Sequence, residues 1–222
     1  MLVGCAVLAA CGTATPESTS PTAPRPTTAI SASAASGRLD SHPAVVDATD
    51  VAVVGDLDAE QIAMVEWALD RFAQTDLTLP ATIRVAFDPS RALCRNHLGV
   101  CHPRQDPPEV VVCEADGPYT TQRMNQQITL LHELAHLWYR AARDGPNAPD
   151  LQMIVGGRAS SPEVSWGERT EERVAVVISW GLIDQYRRPV RSELPCAELY
   201  QQFVDLTGHL PLGPFEPVCL AG

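Results

Sequence analysis

The sequence predicts an α+β fold, and three observations carry that expectation. An amphipathic helix pattern comes first, then two or more strand-like runs, then three helical stretches that fill the second half of the chain. No internal repeat stands out. Asp58 followed by Gln61 has the spacing of a capping box and predicts a helix start. Ile62, Val65, Leu69 and Phe72 then fall on one helical face, and Pro80 ends the segment. Ile83, Val85 and Phe87 alternate with smaller or polar residues and predict a strand. Residues 88–108, rich in Cys, His, Asp and Pro, read as a loop. Val110, Val111 and Val112, leading to Cys113, predict a second strand. Helices are then expected over 121–143, started by Thr120 or Thr121 and stopped near Gly145-Pro146, over about 166–185, and over 196–207 with Gly208 as its cap.

Before this domain lie two segments that cannot belong to its core. Residues 1–11, MLVGCAVLAAC, are apolar and end in Leu8-Ala9-Ala10-Cys11 ahead of Gly12. This resembles a bacterial lipobox, in which Cys11 takes the lipid and becomes the mature N-terminus. The front of the run lacks the positive charge usual in such signals. Residues 12–39 contain 21 Thr, Ser, Pro or Ala among 28 positions. Such a stretch has too little apolar surface to offset the entropy of ordering, and reads as a disordered tether. The expected organisation is therefore a signal over 1–11, a tether over 12–39 and a folded domain over 40–222. No stretch reaches the roughly 20 apolar residues of a membrane-spanning helix. The expected location is the outer face of the bacterial cytoplasmic membrane, with a lipid anchor as the membrane contact.

Composition narrows the chemistry. The chain of 222 residues has a formal charge of −11, which argues against nucleic acid as a partner. Residues 1–39 hold two Arg against one Glu, so the acidity belongs to the domain. All 16 basic residues are Arg. Without lysine there is no Schiff base and no phosphate-loop lysine.

His132-Glu133-Leu134-Ala135-His136 carries the chemistry. Histidines at i and i+4 share a helix face, so both imidazoles reach one ion, and zinc suits that spacing. Glu133, beside the first ligand, is placed to take a proton from water activated by the ion. Ile128, Leu131, Ala135, Trp138 and Ala142 form an adjoining apolar stripe that pins the helix to a core. A third histidine six residues past His136 is absent, since that position is Ala142. The motif resembles that of the zincins, whose glutamate-ligand class takes its third ligand from a Glu on a later helix, often in the pattern E-x-x-A. Glu172, followed by Ala175 and an apolar run, is the expected choice, with Glu171 and Glu168 as competitors.

The motif with Glu172 resembles gluzincin-type zinc metallopeptidases. The stretches LLHELAHLW, SWGERTEERVAVVISWGL and CAELYQQFVDLTG also resemble small exported bacterial zincin-like proteins of the actinobacterial kind. The resemblance covers roughly 83–213. It implies a compact zincin-like domain, with a small twisted sheet packed on the motif helix and a helical C-terminal half. The resemblance names no substrate; the residues themselves lead to the expectation of one zinc ion held by His132, His136 and Glu172, with Glu133 as catalytic base in the hydrolysis of a peptide or protein, and of a monomer. The alternative is a zincin-fold lipoprotein without turnover, in a binding or structural role. No position matches a family residue that stabilises the oxyanion. His209 and Tyr186 are the candidates, and Tyr139, one helical turn past His136, reads as a packing residue.

The remaining cysteines are Cys94, Cys101, Cys113, Cys196 and Cys219. Their odd number allows two disulfides and one free thiol in an oxidising compartment. Cys196–Cys219 and Cys94–Cys113 are the expected pairs. A rival arrangement is a second metal site built from Cys94, His97, Cys101 and His102.

Overall fold

The structure is a computed structural model that describes residues 51–95, 97–114, 119–145, 150–159, 163–184 and 194–214. Cys11, the tether, Tyr186 and Cys219 lie outside the described residues. The architecture is α+β, as the order helix, strands, then helices predicts.

Four strands form a mixed sheet in the order β1-β2-β4-β3. Strand β1 (Ala52–Val54) runs parallel to β2 (Thr82–Asp88), and helix α1 (Ala59–Ala73) makes the crossover between them. The Asp58–Gln61 capping box forms as expected: Asp58 accepts from the Gln61 backbone N–H at 2.9 Å, and Gln61 returns the bond at 3.0 Å. Strand β4 (Glu109–Cys113) lies parallel to β2, with Val85 opposite Val110. Strand β3 (Gly99–His102) pairs antiparallel with β4 and forms the sheet edge.

Strand alternation divides the sheet into two faces. Ile83, Val85, Val110 and Val112 enter the main core with α1 and with the helices that follow the sheet. Val111, Cys113 and Cys94 form a small cluster on the other face, with Ala86 and Val100 against it. The Cys94–Cys113 disulfide ties the segment after β2 to that second face. The same segment is turned by the Asp88 carboxylate, which accepts from the backbone N–H groups of Ser90 and Leu93 at 2.9 and 2.7 Å. Cys101 lies opposite Val110 and packs toward the main core, away from the disulfide, and its thiol is free.

Helix α2 (Tyr119–Asp144) crosses the main-core face, and Leu130, Leu131, Leu134, Ala135 and Leu137 are buried along it. It packs on β3 and β4 on one side and on α4 (Thr170–Leu182) on the other. A short helix α3 (Leu151–Val155) precedes α4, and α5 (Cys196–Thr207) follows it. Gly181 of α4 admits the Phe203 ring of α5: a Cβ there would fall 2.0 Å from it. Gly208 closes α5 in the left-handed region, at φ 73°.

Four expectations are corrected. The segment 88–108 is not all loop, because β3 lies within it. A further strand, β1, pairs with β2 ahead of the first helix. The helix expected over 166–185 is a 3-10 turn at Trp166–Glu168 followed by an α-helix that ends at Leu182. The motif helix begins at Tyr119, ahead of the threonines expected to start it. Cys196 is disulfide-bonded, and its expected partner Cys219 lies outside the described residues. Among the described residues, no helix is long and apolar enough to cross a membrane.

Candidate metal centre

Two buried helices build the site. The stripe predicted on α2 behaves as an anchor: Leu131, Ala135 and Trp138 are buried, and Ile128 and Ala142 pack at its edges. That leaves His132 and His136 turned toward Glu172 of α4, with Glu133 beside them against Gly99 of β3. The two imidazole rings stand edge to face, 4.9 Å between centroids.

Glu172 approaches them from the first turn of α4. The start of that helix is held by a strap from the chain after α3. Arg158 N–H donates to Glu168 O at 2.7 Å, and Thr170 N–H donates to Arg158 O at 3.0 Å. The second bond satisfies a helix-start N–H for which the helix has no partner. Gly157, at φ 99°, makes the close approach possible, since a Cβ there would fall 3.0 Å from Thr170. The Arg173 guanidinium reaches back to Val155 O at 3.1 Å. With Val174, Ala175, Val177 and Ile178 buried, the helix cannot rotate without exposing apolar surface, and Glu172 is fixed inward.

Glu172 Oε2 lies 3.4 Å from His132 Nε2 and 3.5 Å from His136 Nε2. The oxygen is buried and has no partner with hydrogen-bond geometry. An unsatisfied buried carboxylate oxygen is costly. The spacing fits an ion instead. A tetrahedral centre with bonds of about 2.0–2.1 Å places neighbouring ligand atoms about 3.3–3.4 Å apart. The three side chains each offer one donor atom, all within 4.8 Å of one another. The set is compatible with one metal ion.

The electrostatics follow from burial and from the Glu172 charge. Burial opposes the charge on Glu172, yet the two imidazoles outweigh it and draw the carboxyl down to about 2. Burial likewise opposes charge on His136, and Glu172 beside it raises the imidazole pKa all the same. Glu133 is only 7% exposed, and burial pushes its carboxyl up to about 7. Burial, with Glu133, Glu171 and Glu172 nearby, raises the Cys101 thiol and keeps it protonated.

A cleft of about 1090 Å³ opens over these groups, between β3, α2 and α4. Glu171 lines the cleft but stands outside the three-donor group. Glu168 is exposed and accepts from the Ser165 hydroxyl at 2.6 Å instead. Tyr139, expected only to pack, lines the cleft with its ring under the Arg143 guanidinium. His209 pairs with Asp76 at 3.1 Å and is not a cleft residue. The rival second metal site does not form, because Cys94 is spent in its disulfide. His97 and His102, counted in that set, line the main cleft instead. His102 lies on β3, inside the segment expected as loop, and His97 lies just before that strand.

No protein-family model, curated protein or solved structure matches this chain.

Proposed function

We propose that this protein is a zinc-dependent peptide-bond hydrolase. The observation that carries the reading is the convergence of His132, His136 and Glu172 on one point beside the Glu133 carboxylate. Two imidazoles and one carboxylate form a donor set suited to zinc that leaves a coordination position open. Zinc bound there supplies Lewis acidity, which polarises a carbonyl and acidifies water. The chain's own residues do the rest. Glu133 takes a proton from the attacking water and delivers it to the leaving nitrogen. Burial of Glu133 between β3 and α2 keeps bulk water from competing for that proton.

The cleft suits an extended peptide. Strand β3 lies at the sheet edge, and Gly99, Cys101 and His102 line the cleft. Among the described residues no strand pairs with its outer side. A peptide laid beside it finds backbone partners there. In this reading the resemblance to gluzincin-type proteins extends to the zincin-like fold, and Cys11 and the tether place the domain on the outer face of the membrane. A binding protein without turnover has no need of a buried carboxylate beside the ligands, so Glu133 favours the enzyme over that alternative.

The test is a Glu133→Gln variant of the full chain. It is expected to keep zinc and to lose peptide cleavage by a factor of about 10² or more. Equal cleavage by both forms at matched zinc content would refute the hydrolase reading.

A further inference from the structure

The cleft is asymmetric in charge along α2. On one side of the histidines it is lined by Asn125, Ile128 and Thr129, none of them charged. On the other side come Arg140 and Arg143. At about 1.5 Å of rise per residue, they stand about 6 and 10 Å past His136 along the helix axis. Arg104, on the turn between β3 and β4, lines the same cleft.

These cations are not fully neutralised. Arg140 and Arg143 share the single carboxylate of Asp144, each at 3.0 Å. One carboxylate between two guanidinium groups leaves a positive charge over. Arg104 is exposed and has no ion pair among the described residues. In a chain where Asp and Glu outnumber basic residues 27 to 16, three arginines lining one cleft run against the composition. Metal retention and proton transfer at Glu133 make no use of it.

We propose that the end of the cleft beside Arg140 and Arg143 is a subsite for a substrate carboxylate, borne two or three residues from the bond that is cleaved. An extended peptide advances about 3.3 Å per residue, so two or three residues span the distance from His136 to the arginines. Arginine suits the task, because its planar fork matches a carboxylate with two parallel hydrogen bonds. The carboxylate is an Asp or Glu side chain or a free C-terminus, and the chemistry of recognition is the same. The inference rests on the hydrolase reading for the bond that is cleaved, whereas carboxylate binding itself requires no turnover.

The test uses the zinc-loaded full chain and neutral peptides, acetylated and amidated, with Asp moved through successive positions and Asn as the control. Binding is read by fluorescence anisotropy on the Glu133→Gln variant, and cleavage on the wild type. One or two Asp positions on one side of the cleaved bond are expected to tighten binding about tenfold over Asn, the scale of a charge-assisted hydrogen bond. The gain should shrink at high salt and fall in Arg140→Gln and Arg143→Gln. A matching gain for a free C-terminus, lost on amidation, identifies the terminal carboxylate as the source. Retention with internal Asp identifies the side chain. Equal binding of Asp and Asn peptides at every position overturns the proposal, and continued cleavage then leaves the hydrolase reading standing. Acid-dependent binding without wild-type cleavage supports the subsite and overturns the hydrolase reading.

Discussion

Gly99 of β3 gives the Glu133 carboxylate its room. A Cβ built on Gly99 would fall 2.7 Å from Glu133 Oε1 and 2.5 Å from Thr129 Cγ2. The edge strand and the motif helix meet at this point without an intervening side chain. Gly99→Ala is therefore expected to displace Glu133 while leaving the three-donor group intact. Cleavage should fall by about 10², the cost of a misplacement of roughly 1 Å, with zinc stoichiometry unchanged. Metal content and kcat measured on the same preparation check this. Loss of zinc together with activity would mean that Gly99 supports the ligands instead.

The two adjacent glutamates on α4 should behave differently. Glu172 belongs to the donor group and Glu171 does not. Glu172→Gln is expected to weaken zinc binding by more than the roughly 10–100-fold that removing an outer partner costs, and Glu171→Gln by a few-fold at most. Competition with a fluorescent zinc chelator measures both. A larger loss in Glu171→Gln would reassign the ligand.

Arg173 holds the first turn of α4 through Val155 O. Arg173→Ala should leave the helix in place, because its apolar face remains buried, but loosen the position of Glu172. Zinc affinity is expected to drop by about 10-fold, within the range for groups that orient a ligand. Circular dichroism matching the wild type, alongside the weaker zinc binding, would establish that the effect is one of positioning.

Burial of Glu133 makes a prediction about pH in protein stripped of metal. Its carboxyl titrates near 7 in the folded chain, against an ordinary value of 4.5. Between those values the folded state holds the proton more tightly than the unfolded state. Stability is therefore present in full at low pH and is lost as pH rises through about 7. The raised His136 pKa acts in the same direction. Glu133→Gln removes the carboxyl contribution, so its melting temperature should exceed that of the wild type at pH 8 and approach it near pH 4.5. The gap corresponds to something on the order of 3 kcal/mol. Parallel melting curves across this range would contradict the burial argument.

The Cys94–Cys113 bond closes a loop with a sequence separation of 19. Loop entropy alone gives about 3 kcal/mol for a loop of that size. A Cys94→Ala/Cys113→Ala chain should lose that much in chemical denaturation, and Cys101→Ala much less. Equal losses would imply that Cys101 has a structural role not evident from its free thiol.

Legibility in the sequence tracked how local each cause is. The Asp58–Gln61 box, the i and i+4 histidines and the apolar run after Glu172 are short-range patterns, and each appears in the structure where its spacing indicates. Strand β3 was hidden because Gly99–His102 is half-buried throughout and shows no alternation. Its existence depends on pairing with β4. The strap from Arg158 to Thr170 joins segments whose contact is made by the fold, not by spacing. The freedom of Cys101 follows from strand parity, which requires knowing that it lies on a strand. The arginines along the cleft were visible as residues, but only the packing of α2 between β3 and α4 reveals which face they share.

The central claim is that His132, His136 and Glu172 together hold one ion. Its most direct test is a zinc titration of the chelator-stripped full chain, followed by calorimetry, beside a His136→Ala variant. One zinc per wild-type chain is expected, with loss of that binding in the variant. Folded wild-type chain that takes up no zinc, or a variant that takes up zinc equally well, would contradict it.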